Sequence, residues 1–225
     1  MAIMWHLHVR ETAFPTALSL LALAAPQPLG AQVPGGCNTP VAERTSPIGC
    51  YVAASKALDS LPAGPLFWYL YNYPTRAAAE AAGGPRGTVV ESFGRVWLYV
   101  VTDSGWHPAS GTRVAVIGPL VTAPGKRYTA RYLETVTTPG MQSDIHRHAG
   151  PEAWYVLAGA QCLETPKGTT VVRAGESSVV AEGPPMLLRS IGGEQRRAVV
   201  LVLHDATQAW VSMATDWQPK GLCPK

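Results

Sequence analysis

Two imidazoles and a carboxylate fall within seven residues of one another, His146, His148 and Glu152 in the run IHRHAGPE. Histidines at i and i+2 project from the same face of a β-strand, which is the spacing one metal ion needs. The intervening Ala149-Gly150-Pro151 is a short turn that returns the chain to the same mouth and supplies Glu152 as a third ligand. Two neutral imidazoles and one carboxylate suit a divalent transition metal (Fe, Mn, Zn, Ni or Cu) and leave positions for water or substrate. Trp154 shares strand parity with Glu152 and points into the same pocket, with Val156 behind it, although packing explains an inward tryptophan more simply than substrate stacking. Met186, Leu188 and His204 complete the expected pocket, His204 because it ends an apolar strand. His107 lies in a Gly/Trp/Pro loop and is given no ligand role, and Gln142, Tyr155 and Arg189 are weaker candidates for the pocket rim.

At these residues the sequence resembles the cupin superfamily. Gly140, five residues, His146-X-His148, three residues, Glu152, six residues and Gly159 match the first cupin motif at each fixed position, including the Trp-Tyr-Val-Leu strand that follows the glutamate. The resemblance implies an all-β fold, a cupin-type jelly-roll barrel (double-stranded β-helix), with the two histidines and the glutamate holding a metal inside it. A second motif begins at Gly175 and departs from the pattern, with Ala181 where proline is usual and Met186 where the fourth ligand, a histidine, is usual. Water filling the fourth place, a thioether on a soft ion, and a weakened or lost metal are the three readings of that departure. Met186 is read as apolar pocket wall.

The elements that must position these residues are short strands. The chain has 22 Gly and 20 Pro spread along its length, which suits strands joined by tight turns. From residue 139 onward, Gly/Pro turns separate the runs AWYVLA, TTVVRA, SSVVA, MLLRS and AVVLVLHD, the punctuation of a sandwich or closed roll. Upstream, 67–73 (FWYLYNY), 113–117 and 128–137 read as strands, and 89–101 as two strands broken by a bulge or turn at Gly94. Residues 75–82 read as a short helix ended by Gly83 and Gly84. The expected organisation is a signal peptide over 1–31, a leader arm over 32–49, and an N-terminal extension with extra strands and a short helix over 50–124. A barrel over 125–210 and a tail over 211–225 follow. Arg196 and Arg197, just after Gly192-Gly193, read as a hairpin tip on the surface.

The leader has an apolar run at residues 16–25, roughly ten residues long, within the span of a signal h-region and too short to cross a bilayer. Cleavage is expected after Ala31, which removes His6 and His8 and makes the mature protein secreted or periplasmic, with no membrane contact. All four cysteines lie beyond that point, as expected in an oxidising compartment. Of the three connectivities that four cysteines allow, Cys37 with Cys50 as a local clasp and Cys162 with Cys223 as a tail tether is favoured. A net charge of +3, with basic residues scattered singly or in pairs, carries no nucleic-acid footprint. The implied partner is a small molecule, and a homodimer through the added sheet is compatible with the sequence.

Two function classes follow from this set. A 2-His-1-carboxylate site with open positions suits a metal-dependent oxygenase-type reaction on a small organic molecule. A non-catalytic module that binds a small ligand or the metal itself is the alternative, made more credible by Met186. Isomerase or lyase chemistry needs a general acid or base that the sequence does not display.

Overall fold

A computed structural model of the chain describes Met1 and residues 36–58 and 61–224. The expected signal peptide and its His6 and His8 lie outside the described residues.

Fourteen strands, one α-helix and two short 3₁₀ turns make up the regular structure of the described residues. The strands are β1 (Gly49–Leu58), β2 (Leu66–Tyr73), β3 (Thr88–Ser92), β4 (Arg95–Thr102), β5 (Thr112–Leu120), β6 (Tyr128–Thr137) and β7 (His146–His148), followed by β8 (Glu152–Ala158), β9 (Ala160–Thr165), β10 (Gly168–Arg173), β11 (Ser177–Val180), β12 (Leu187–Ile191), β13 (Arg196–Asp205) and β14 (Val211–Met213). The helix α1 (Arg76–Gly83) starts at Thr75, whose hydroxyl accepts from the Ala78 N–H, and ends at Gly84 in a positive-φ conformation.

Three layers result. The middle layer is an antiparallel sheet in the order β1-β6-β13-β8-β11. Facing it is a sheet in the order β10-β9-β12, which the bridges Gln142↔Arg189 and His146↔Met186 extend to the β7-β14 ribbon. These two layers enclose the barrel, an all-β fold of jelly-roll type. The third layer, β3-β4-β2-β5, packs on the back of the middle sheet and away from the barrel interior.

Alternation explains how one sheet serves two neighbours. On β6 and β13, Tyr132, Val199, Leu201 and Leu203 face the added layer, where they meet Leu66, Trp68, Leu70, Trp97 and Tyr99. Leu133, Val200 and Val202 face the other way, into a cluster with Trp154, Leu163 and Met186. The aromatic contacts are edge-on or tilted, with Trp68 to Tyr99 at 5.3 Å and Tyr99 to Tyr132 at 5.0 Å between centroids. In the added layer, Gly94 marks a two-residue hairpin: Ser92 pairs with Arg95, and both Phe93 (φ 53°) and Gly94 (φ 70°) occupy the left-handed region that such a turn requires.

The barrel draws strands from beyond the segment 125–210. β1 comes from the expected extension and pairs along nearly all of β6, from Gly49↔Val136 to Leu58↔Tyr128. β14 comes from the tail and pairs with the histidine-bearing β7. The disulfides Cys37–Cys50 and Cys162–Cys223 secure the two outlying ends. The buried Glu164 carboxylate adds to the second tether by accepting from the Lys220 and Leu222 N–H groups.

Candidate metal centre

Strand β7 is only three residues long, yet it is fixed on both sides. His146 exchanges backbone hydrogen bonds with Met186 at 3.2 and 2.8 Å, and β14 pairs Val211 with His148 and Met213 with His146. Cross-strand partners share a face, so Met186, Val211 and Met213 stand beside the imidazoles. Glu152 opens β8 and pairs with Val202. The turn between His148 and Glu152 runs so close to β13 that a Cβ on Gly150 would lie 1.9 Å from the Leu203 carbonyl oxygen, so no larger residue fits there.

The three side chains converge, with candidate ligand atoms within 4.8 Å of one another. The imidazole centroids are 4.9 Å apart. Each histidine donates its Nδ1 proton to a backbone carbonyl, His146 to Asp144 and His148 to Trp210, both at 2.8 Å. This fixes the tautomer and turns the Nε2 lone pairs inward. His148 Nε2 then faces Glu152 Oε2 at 3.2 Å, and neither buried atom has a hydrogen-bond partner. A proton or a metal ion between these two atoms satisfies both, and the inward-facing donor set fits a divalent metal. Burial holds His146 below the ordinary imidazole range, whereas at His148 burial also lowers but the Glu152 carboxylate and the bond to the Trp210 carbonyl together hold it above.

A cavity of about 130 Å³ adjoins the three residues, with Leu133, Trp154, Met186, Leu188 and Val200 among its apolar walls. Its cap comes from both ends of the described chain. Trp210 stacks on His148 at 5.4 Å and 19°, carries the Arg131 guanidinium 4.5 Å above its ring, and donates its indole N–H to Asn38. Arg131 also donates to the Cys37 carbonyl, joining the leader arm to the tail over the site.

The expected pocket residues divide into two groups. Trp154, Met186 and Leu188 line the cavity with the three ligand candidates. Val156 shares their face but lies deeper, packed with Val172 and Ala198. His204 stands half-buried at the rim, bonded to the Asp205 carbonyl, and does not line the cavity. Of the rim candidates, Arg189 donates to Gln142 at 2.8 Å, and Tyr155 faces the added layer.

One expectation is corrected. Arg196 is not at the surface: it is 2% exposed and lines the cavity, whereas its neighbour Arg197 is exposed. The reason is strand parity, since Arg196 continues the inward series Val202, Val200, Ala198. Thr135 and Thr137, on the inner face of β6, are further polar wall residues that the spacing of motifs did not single out.

No family model matches the sequence, and no curated protein matches it. Among solved structures, the chain is similar to a cupin-like protein from Thermotoga maritima, with 12% identity over 38% of this chain and 64% of that one and a TM-score of 0.35. It is likewise similar to a protein with a double-stranded β-helix domain from Klebsiella pneumoniae, at 20% identity, 44% and 78% coverage and a TM-score of 0.34. An oxalate oxidase in complex with glycolate matches at 19% identity, 38% and 45% coverage and a TM-score of 0.32. The chain thus spans under two thirds of the Thermotoga protein and under half of the oxalate oxidase.

Proposed function

We propose that this chain is an exported metalloprotein that holds a divalent transition metal through His146, His148 and Glu152, and that it acts as an oxygenase-type enzyme on a small organic molecule. The observation that carries this reading is the pair of unpartnered buried acceptors, His148 Nε2 and Glu152 Oε2, 3.2 Å apart, with both histidine tautomers fixed from behind. A redox-active ion in a three-ligand site supplies open positions where substrate and dioxygen meet. The protein's own contribution is to shape a dry cavity, with Trp154, Met186 and Leu188 excluding water and the Trp210 cap limiting entry. Two disulfides support residence in an oxidising compartment, secreted or periplasmic.

Met186 favours a second reading. It occupies the place of a fourth ligand, is 1% exposed and packs with Leu163 and Trp154, which also suits a barrel that binds without turning over. Dioxygen uptake separates the two. Mature protein beginning at Gln32, reconstituted with Fe(II), is expected to consume dioxygen with at least one member of a panel of small organic acids and phenols, and Glu152→Ala is expected to abolish it. No uptake above the variant with Fe(II), Mn(II) or Cu(II) would leave the binding module as the better account.

A further inference from the structure

The barrel interior holds a second charged group that the ligand set does not use. Arg196 lines the same cavity, is 2% exposed, and spends one nitrogen, Nη1, on the Thr135 hydroxyl at 2.8 Å. Its Nε and Nη2 are buried and have no partner. In a planar guanidinium these two nitrogens share one edge, and their parallel N–H bonds match the two oxygens of a carboxylate. Among the described residues, Arg196 takes part in no ion pair. A buried guanidinium with an open fork and no carboxylate in contact with it is an incomplete arrangement that an anionic ligand completes.

Charge and size agree on the ligand. A divalent ion, the Glu152 and Asp144 carboxylates and one guanidinium leave the cavity with an excess of one positive charge, and the remaining walls are mostly hydroxyls, sulfur and hydrocarbon. The volume, about 130 Å³, is close to the ~150 Å³ that holds one benzene, so the ligand has about six non-hydrogen atoms. Register gives its direction. Arg196 pairs with Thr137, and Glu152 pairs with Val202 further along β13, so the two charged groups lie at different depths of one cavity. The long arginine side chain closes part of that interval, and the Glu152 carboxylate acts electrostatically on the guanidinium.

Resting on the metal reading above, we infer that the cavity takes a small organic carboxylate, whose two oxygens lie on the Nε/Nη2 edge of Arg196 while its other end faces His146, His148 and Glu152. Arg196 is thus the residue that selects an acid over a neutral molecule and sets which end meets the metal.

Calorimetric titration with butyrate and its uncharged isostere butyramide tests this on metal-free and Zn(II)-loaded protein. Butyrate is expected to bind at least about tenfold more tightly than butyramide in both forms, since a charge-assisted pair is lost with the amide. Arg196→Met is expected to remove the difference at unchanged metal content, and Arg196→Lys, which keeps the charge and loses the fork, to reduce it severalfold. Equal binding of the two probes to wild-type protein overturns the inference without any variant having to fold. A preference for butyrate that appears only with Zn(II), or survives in Arg196→Met, overturns it too by placing the anion on the metal or elsewhere. Metal uptake without acid selectivity leaves the metal reading intact, whereas acid selectivity in a protein that takes up no metal leaves the Arg196 site and removes the metal.

Discussion

On one face of the sheet β1-β6-β13-β8-β11, Tyr132, Val199, Leu201 and Ala153 meet Trp68, Trp97 and Tyr99 of the added layer. On the other face, the same strands present Thr135, Arg196 and Glu152 to a cavity. Both faces contain buried polar atoms without partners, but of different kinds. At the back they are neutral donors, the Trp68 indole N–H and the Tyr99 hydroxyl, and burial pushes the latter well above its usual range so that it stays uncharged. In the cavity they belong to His148, Glu152 and Arg196. An unpaired neutral group costs roughly 1–3 kcal/mol, whereas an unpaired buried ion costs several, so the two faces are not equivalent concessions to packing. The back stabilises the fold, and the front spends part of that stability on a site that only ligands complete.

Substitutions on the two faces should therefore move stability and metal content independently. The largest effect is at the back: Trp68→Ala removes a fully buried ring and is expected to cost about 3–5 kcal/mol in denaturant unfolding. Protein that remains folded is expected to keep its full metal content, and loss of metal from the folded fraction would join the two faces. At the front the sign reverses. Arg196→Met replaces a buried charge, which no carboxylate contacts, with an apolar chain of similar length and is expected to raise the stability of ligand-free protein by about 1 kcal/mol. A loss of more than about 1 kcal/mol would mean that the guanidinium already has a stabilising partner.

The smallest effect lies where β13 leaves the sheet. Asp205 accepts from the Thr207 side chain and backbone and from Gln208, and pairs with Lys126 at 3.3 Å. These contacts, the Thr207 bonds first, hold its carboxyl well below the ordinary value near 3.8. A depressed folded pKa contributes stability that is complete above the unfolded value and is lost as pH falls through the folded one. The melting temperature of wild-type protein is thus expected to exceed that of Asp205→Ala at pH 6 and to approach it steadily as pH drops below about 4. A gap that stays constant down to pH 2 would contradict the assignment.

The convergence of His146, His148 and Glu152 was legible because its information is local: two histidines on one strand face and a glutamate one turn later need no knowledge of tertiary structure. The strands of the C-terminal half were legible for a related reason, since Gly/Pro turns delimit them. Arg196 was hidden by its neighbour. A pair of arginines after Gly192-Gly193 suggests a solvated tip, and only parity counted back from Val200 and Val202 turns the first of them inward. β14 was out of reach, because three residues carry no readable period and their role depends on pairing with an equally short β7. Val156 and His204 have the inward parity of their strands, yet depth and rim position separate them from the cavity, and depth is a property of how strands shear past one another in a closed barrel. The added layer is also instructive, since the aromatic run at 67–73 marked a strand but not which side of the barrel it would cover.

The central claim is that His146, His148 and Glu152 hold a metal, and metal content measured by mass spectrometry on the mature protein from Gln32 onward tests it most directly. The protein should be purified without chelator or histidine tag, beside a His148→Ala, Glu152→Ala double variant of comparable fold. About one equivalent of a single transition metal in the wild type, absent from the variant, is the expected result. Wild-type protein that is metal-free as purified and takes up none of Fe, Mn, Zn, Ni or Cu, or a variant that retains the metal, would contradict the account.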